Sequence, residues 1–451
     1  MDKDALELVR RLADWLRGSS PALPPEASEL RPFDLAEASE ALEQDEVLRL
    51  LGALEPEIAA ETLEHLDFTA QYRLLDKLPP EASGAILAAM SSDGLADLVK
   101  AVHPRQAEAL LVRLEAGEAA TIRRLITYPE HTAGAIMTAD YISVRCNQTA
   151  AGVLEHIRKV AEEAEVYAYI YVVDNRGRLA GAMSLRELIL AEPASQVETF
   201  MTHDLVSVNG YADQEQAARL LADYDFVAIP VVDDAGRLLG VISVDDVLDV
   251  VQDEATEDIQ RLGGSAPLDE PYLESSFTRL FRKRIGWLLL LFVVQSITSN
   301  ILGFFQSFLE QVVALAFFVP LLIGTGGNAG GQAATLVIRA MALGEIGCGD
   351  VLRVVWREAR LALTLGVTMA AATLGWALLL GQSAALGLTV ALSVAAVVLV
   401  GSTVGALMPL VGRRLGFDPA VFSAPLITTV ADTVGLLVYF QIARVVLGLA
   451  R

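Results

Sequence analysis

The spacing of apolar residues changes character along the chain. Over residues 1–130 they recur at helical intervals in short stretches that Pro and Gly interrupt: "AEASEALEQDEVLRLLGAL", "PEIAAETLEHL", "TAQYRLLDKLPP", "EASGAILAAM", "SDGLADLVKAV" and "PRQAEALLVRL". Short amphipathic helices with brief connections predict an all-α helical-hairpin solenoid rather than a compact enzyme. Beyond residue 130 short apolar strands appear between helices, and from residue 285 charge all but disappears.

The strand region contains a repeat. "YIYVVDNRGRLAGAMSLRELI" (169–189) matches "VAIPVVDDAGRLLGVISVDDVL" (227–248), and the pairs Met137-Thr138 and Met201-Thr202 precede the two copies. Val-Val-Asp, a turn, Gly-Arg-Leu-x-Gly, a strand and a helix predict a β-hairpin leading into an amphipathic helix. General α/β packing accounts for the apolar positions but not for the shared Gly-Arg-Leu and Met-Thr. Two such units resemble a tandem pair of cystathionine-β-synthase-type (CBS) domains, which implies a regulatory module.

The C-terminal region predicts membrane spans. Ile285–Leu309 and Gln311–Ile338 carry no charge, and Leu361–Gly412 is an uncharged run of 52 residues. That run is too long for one crossing, since about 20 residues suffice, and it divides at "GQSA" (381–384). Leu415–Ala443 supplies a fifth span. Arg282, Lys283 and Arg284 precede the first span, Arg353, Arg357 and Arg360 separate the second from the third, and Arg413 and Arg414 separate the fourth from the fifth. The alternate loops, near Phe304–Glu310 and Gly381–Ala384, have no basic residue. Five spans with the N-terminus inside and the C-terminus outside satisfy the positive-inside rule at every loop. Buried core helices of a soluble protein would need no such alternation.

Charge then separates the two halves. Residues 1–284 hold 51 acidic and 26 basic side chains, a net of −25, against 6 and 8, a net of +2, from residue 285 onward. So acidic a region argues against nucleic acid as partner and towards cations. The opening "MDKDALELVRRLADWLRG" reads as a charged amphipathic helix rather than a signal peptide, which places the acidic part in the cytosol. Cys146 and Cys348 lie in different halves and imply no disulfide framework. His65, His103 and His131 are scattered, and no catalytic constellation is present, so the chain is read as a non-enzyme.

The stretch "DDVLDVVQDEATEDIQRLGG" packs Asp245, Asp246, Asp249, Asp253, Glu254, Glu257 and Asp258 onto one helical segment. Like charges at i, i+3 and i+4 destabilise a helix by a few tenths of a kcal/mol per pair. A lone helix of this kind would be a solvated acidic face. Here the surplus extends over two further modules, which favours a requirement for a divalent cation bound through oxygen and water. "PYLESSFTRLFRKR" (271–284) then reads as an amphipathic helix along the membrane surface.

Two motifs within the spans carry chemistry. "VPLLIGTGGNAGGQAATLVIRA" (319–340) has Gly324, Gly326, Gly327, Gly330 and Gly331, each costing a soluble helix nearly 1 kcal/mol against alanine. One reading is close packing through Gly326/Gly330 and Gly327/Gly331. A phosphate loop is disfavoured, because the Gly-Lys-Ser/Thr ending is missing. The third is a broken helix whose carbonyls, with Asn328 and Gln332, line a wet path. Packing and pore lining are compatible, and the two amides favour the pore. "SAPLITTVADTVGLLVYF" (423–440) places Asp432 near mid-span, at a cost of roughly 2.5–3.5 kcal/mol on insertion scales. The spans offer no Lys or Arg near its depth, and a proton relay needs several titratable groups, so a cation is the partner that remains.

Together these features resemble the MgtE family of magnesium channels. The resemblance covers essentially the whole chain, most specifically "PLLIGTGGNAGGQ" and "PLITTVADTVGL". It implies a helical acidic N domain (1–130), CBS domains at 131–198 and 199–254, a connecting helix (255–284) and a five-span α-helical pore domain (285–451). It also implies a homodimer in the lipid of the cell membrane with its pore at the dimer interface. Asp432 would hold hydrated Mg²⁺, with backbone oxygen near Thr428 and residues around Asn328, and Asp418 in "GFDPA" matches a second metal position at the cytoplasmic mouth. Glu61, Asp93, Asp97, Glu215, Ala222 (through its carbonyl), Asp225, Asp246, Asp249, Glu254, Glu257 and Asp258 match sensing positions. Tyr169 and Glu187 match contacts for ATP at the CBS pair. Where many members have Asn this chain has Ala424 and Gly331, which removes two polar side chains from the ion's water shell. A less selective carrier of Co²⁺, Ni²⁺ or Mn²⁺ is disfavoured by an oxygen-only site, and a CBS sensor without transport leaves the central carboxylate unexplained.

Overall fold

A computed structural model describes Trp15 and residues 30–160, 166–268, 272–273, 275–347 and 349–449. Apart from Trp15, the opening amphipathic stretch lies outside the described residues, as does Cys348. The chain divides into two compact units, Met1–Val251 and Gln252–Arg451.

The described residues of the first unit from 30 onward open with short helices, α1 (Pro32–Glu40), α2 (Gln44–Leu51), α3 (Pro56–Glu64), α4 (Phe68–Lys77), α5 (Pro80–Ala89), α6 (Ser92–Ala101), α7 (Pro104–Leu111) and α8 (Ala116–Leu125). Proline opens α1, α3, α5 and α7, where its missing N–H costs nothing and its fixed φ suits the first turn. Asp67 and Ser91 cap α4 and α6 through side-chain oxygens. The stretch 36–54, expected as one helix, is two. The Glu43 N–H donates to Glu46 Oε2 at 3.0 Å, so a new helix starts there instead of the first continuing. Leu51, Leu63, Leu75, Leu98 and Leu110 form a core continuous with Ile229 and Ile242 of the second CBS sheet.

The repeat folds twice into the same three-stranded sheet. β1 (Tyr141–Arg145) runs parallel to β2 (Val166–Val173), which pairs antiparallel with β3 (Leu179–Ser184); α9 (Ala150–Val160) and α10 (Leu185–Leu190) complete the first copy. β4 (Val208–Asn209), α11 (Gln214–Tyr224), β5 (Ala228–Val232), β6 (Leu238–Ser243) and α12 (Val244–Leu262) follow with the same pairing. Each shared residue has a job. Gly177 and Gly236 turn the hairpins at φ +75° and +74°, a region open to glycine. Asp174 accepts from the Arg176 and Arg178 N–H groups and the Arg178 guanidinium, and Asp233 does the same with Ala235 and Arg237. These bonds, the backbone donors of Arg178 and Arg237 foremost, hold both carboxyls below the usual range. The Met-Thr pairs serve the opposite copy from the one they precede. Thr138 exchanges backbone hydrogen bonds with Val241 at 2.8 and 3.0 Å, and Thr202 with Ala182 at 2.9 and 3.0 Å. Gly181 and Gly240 leave room for Met201 and Met137.

Among the described residues, the second unit contains five helices long and apolar enough to cross a membrane. They are α13 (Phe277–Phe304), α15 (Ala314–Ala342), α16 (Val351–Leu379), α17 (Ala384–Arg414) and α18 (Ala424–Leu447); the short α14 (Gln306–Gln311) follows α13. The connecting segment 255–284 is not one helix. Its beginning completes α12, which ends at Gly263-Gly264 with Gly264 at φ +74°. Its residues 277–284 are the first turns of α13, because Ser276 caps that helix through Arg279 N–H; no separate surface helix forms there.

The glycine-rich stretch is also corrected. α15 is helical throughout, with Gly326, Gly327 and Gly330 buried. A continuous helix satisfies its own backbone groups where water is scarce, and the glycines serve close approach instead. A side chain on Gly326 would meet Val397, and one on Gly330 would stand 3.0 Å from the Gly401 carbonyl oxygen. Gly401 and Gly405 on α17 face the carbonyls of Gly326 and Gly330 in return. The crossing is therefore glycine on glycine at a four-residue spacing. Gly331, by contrast, faces open space.

Candidate functional site: an intramembrane carboxylate

α18 begins after Ser423, and Pro425 occupies its first turn. Asp432 lies eight residues beyond Ala424, about 12 Å along the helix at 1.5 Å per residue. Its side chain is 9% exposed, and Oδ1 is buried without a hydrogen-bond partner. Gly327, at the middle of α15, makes the room: a side chain there would stand 3.2 Å from Thr428 Cβ and 3.3 Å from Asp432 Oδ1. The Thr428 hydroxyl donates back to the Pro425 carbonyl at 2.9 Å, so it is engaged within the helix. Asn328 and Gln332 are both exposed on α15, and their four-residue spacing puts two amides on one helix face. Buried polar groups almost always have partners. An anionic oxygen left without one, beside a glycine, is suited to a cation that brings its own water.

Asp418, just before α18, pairs with Arg261 at the end of α12, and Arg261 also pairs with Glu257. Burial, then the nearby Asp418 and Glu254, push the Asp258 carboxyl up, while Arg261 pulls it down. The structure thus gathers Glu254, Glu257, Asp258 and Asp418 into one electrostatic neighbourhood. Sequence reasoning assigned these residues to two different sites and missed Arg261, whose i+4 spacing from Glu257 was the available signal.

The other sensing residues lie in the first unit. Glu61 is exposed on α3, next to Glu64, whose Oε1 accepts from Ser91 N–H and Oγ at 2.8 and 3.0 Å. Asp93 and Asp97 are half-buried on α6. Burial raises Asp97 against the opposing charge of Lys100, 3.3 Å away. Glu215 pairs with Arg219 at 3.2 Å. Ala222 is exposed near the end of α11, and Asp225 ends that helix at φ +53°. Asp246 accepts from Ser243 at the start of α12 and is raised by burial first, with Asp249 and Asp245 adding to it. Among the described residues, no three His, Cys, Asp or Glu side chains converge as a metal site.

Tyr169 and Glu187 line one cavity of about 180 Å³ in the CBS pair, with Tyr171, Thr202, Asp204 and Phe226. Glu187 Oε2 accepts from Ser184 N–H and Oγ, both at 2.8 Å. The Tyr171 hydroxyl, at 1% residue exposure, has no partner.

Comparison with known proteins agrees with this layout. Residues 30–131 match the MgtE intracellular N domain, 133–193 and 197–253 the CBS domain, and 319–442 the MgtE family described as divalent cation transporter. The magnesium transporter MgtE of Thermus thermophilus is 44% identical over 360 residues, 79% of this chain and 80% of the relative. The solved soluble part of a magnesium transporter is 30% identical, covering 56% of this chain and 99% of that one at a TM-score of 0.51. The crystal structure of the cytosolic domain of the Mg²⁺ channel MgtE in complex with ATP is 40% identical over 55% of this chain and 98% of that one, at a TM-score of 0.48. On sequence identity and domain order alike, the chain belongs to the MgtE family of magnesium transporters.

Proposed function

We propose that the chain is a Mg²⁺-selective channel of the cell membrane, with Asp432 as its central anionic group, shut by Mg²⁺ bound to its acidic cytosolic modules. The observation that carries this reading is the Asp432 carboxylate, 9% exposed with an unpartnered oxygen, at a depth where a charge is retained for function. Mg²⁺ sheds water reluctantly, so the ion passes with most of its hydration shell. Asp432 then offsets its charge, while the Thr428 backbone oxygen and Asn328 accept hydrogen bonds from its water. Two chains in a homodimer supply two Asp432 carboxylates, which match the ion's charge. The exposed amides of Asn328 and Gln332 support that assembly, since amides facing lipid are costly and a second copy covers them.

Asp418 and the Glu254, Glu257 and Asp258 group form the cytoplasmic mouth. Glu61, Asp93, Asp97, Glu215, the Ala222 carbonyl, Asp225, Asp246 and Asp249 supply the remaining sensing oxygens. The cavity beside Tyr169 and Glu187 takes ATP, with its apolar and aromatic wall for the base. The N domain and CBS pair lie in the cytosol and the C-terminus outside, in the orientation the basic loops favour.

The test is ion uptake by the purified chain in liposomes, comparing Mg²⁺ with Co²⁺ and Na⁺. Asp432→Asn keeps the shape and removes the charge, and it is expected to abolish Mg²⁺ flux with expression and assembly unchanged. Near-normal uptake by this variant would make the carboxylate a structural contact and end the proposal; equal Co²⁺ and Mg²⁺ uptake by the parent would leave a general divalent carrier.

A further inference from the structure

The first span holds little of the protein against itself: Thr298 is the one buried side chain among the described residues of α13, at 2% exposure. It is polar, and its hydroxyl lies 2.8 Å from the hydroxyl of Thr433, the residue next to Asp432. Thr433 donates its own proton to the Thr429 carbonyl at 2.8 Å. A hydroxyl has one proton to give, so Thr298 is the donor and Thr433 the acceptor. A second bond joins the same two helices, from Trp287 Nε1 to Ser423 Oγ at 3.0 Å. Ser423 is fully buried at the start of α18.

The two bonds form a consistent pair. Trp287 and Thr298 are separated by about 16 Å of α13, and Ser423 and Thr433 by about 15 Å of α18, at 1.5 Å per residue. Two parallel helices joined at matched distances cannot slide or rotate past each other without losing both bonds. Successive residues of a helix point about 100° apart, so a one-residue turn of α18 would carry Asp432 away from Gly327. The lower bond is itself braced, because a side chain on Gly264 would stand 2.7 Å from the Trp287 indole nitrogen.

We infer that Thr298 is a positioning residue for the pore: its hydrogen bond to Thr433 fixes the rotation of α18 and so aims Asp432 at the ion path. The inference rests on Asp432 as the ion-holding group and adds a residue on a different span, acting through Thr433. Thr298 itself touches no ion.

Thr298→Val keeps the shape and removes the donor, whereas Thr298→Ser keeps the donor and removes a methyl. In full-length protein in liposomes, Thr298→Val is expected to raise the half-saturating Mg²⁺ concentration about fivefold and to leave the maximal uptake rate within about twofold of the parent. Thr298→Ser is expected within about twofold of the parent on both. Thr433→Val breaks the same bond from the acceptor side, and it carries the test should Thr298→Val fail to assemble. The double variant is expected to be no worse than either single one. Unchanged half-saturation in both valine variants, or equal impairment in Thr298→Val and Thr298→Ser, would overturn the inference. Asp432→Asn run alongside separates the two questions: if it is dead while the valine variants match the parent, the positioning role fails and the pore reading stands.

Discussion

Adding one methyl group at Gly405 tests whether the glycine crossing of α15 and α17 holds the membrane unit together. A Cβ on Gly405 would stand 2.8 Å from the carbonyl carbon and 2.9 Å from the Cα of Gly330. Carbon atoms in ordinary contact sit about 3.5–4.0 Å apart. Backbone cannot turn aside as a side chain can, so the helices must separate by at least about 0.7 Å. A gap of 0.5–1 Å forfeits roughly a quarter to a half of the dispersion well for the atoms along the crossing, and overpacking of this kind costs about 1–3 kcal/mol. Replacing glycine by alanine in a helix returns nearly 1 kcal/mol. The net loss is up to about 2 kcal/mol, or a fall of up to about 8 °C in melting temperature for a unit of this size, and against a glycine-to-alanine control that meets nothing the difference is the full overpacking cost of about 1–3 kcal/mol.

Thermal denaturation of the detergent-purified chain, followed by size-exclusion fluorescence, reads this shift. Gly375→Ala is the control, because that glycine is exposed on α16 and a side chain there meets nothing within 4 Å. It should melt at or slightly above the parent. A Gly405→Ala variant that melts no lower than Gly375→Ala would refute the packing argument. Magnesium uptake should fall with stability, since Gly327 lies less than one turn from Gly330 on the helix being displaced.

Two predictions concern the cytosolic unit. Glu64 is raised above its ordinary value of 4.5 by burial first, with the two Ser91 hydrogen bonds opposing it, so the folded state binds a proton more tightly than the unfolded one and loses stability as pH rises through the folded value. Glu64→Gln keeps the acceptor and removes the charge; its melting temperature should exceed the parent's at pH 7 and converge on it near pH 4, and a constant difference across that range would show that the carboxylate's titration is not the cause. Metal neutralising the acidic modules should slow limited proteolysis of residues 1–284 at millimolar Mg²⁺ relative to chelator at matched ionic strength, and equal cleavage rates would remove the sensing role.

Much of this architecture is legible in the sequence because it depends on patterns that repeat or on costs that are large. The hairpin repeat announces itself through Gly177 and Gly236, which the turns require at positive φ, and through the Asp174–Arg178 and Asp233–Arg237 pairs. The five spans follow from uncharged runs and arginine placement. What escaped depends on partners distant in sequence. Nothing local says that Met137-Thr138 bonds to β6 rather than to its own copy, or that the glycines of α15 meet Gly401 and Gly405. The broken-helix reading of α15 failed for a related reason: glycine content signals either weak helix or close approach, and only the neighbouring helix decides between them.

Asp432 shows where the two kinds of information meet. Its cost in a span makes it conspicuous in sequence, yet the sequence does not say how a carboxylate is kept available instead of being quenched by a neighbour. The structure answers with three separate economies of side chain. Gly327 gives no Cβ where one would stand 3.3 Å from Oδ1. Thr428, Thr429 and Thr433 each spend their hydroxyl proton on a carbonyl of their own helix, so none is left to donate to the carboxylate. Thr298 reaches Thr433 from another span and has its proton committed there. A donor aimed at Asp432 would stabilise the protein by about 1.5–3 kcal/mol, the worth of a hydrogen bond to a charged group, and an ion held there would have to displace it. If Asp432 holds the ion as proposed, leaving Oδ1 unpartnered forgoes that stability and keeps the oxygen's lone pairs open to the cation and its water.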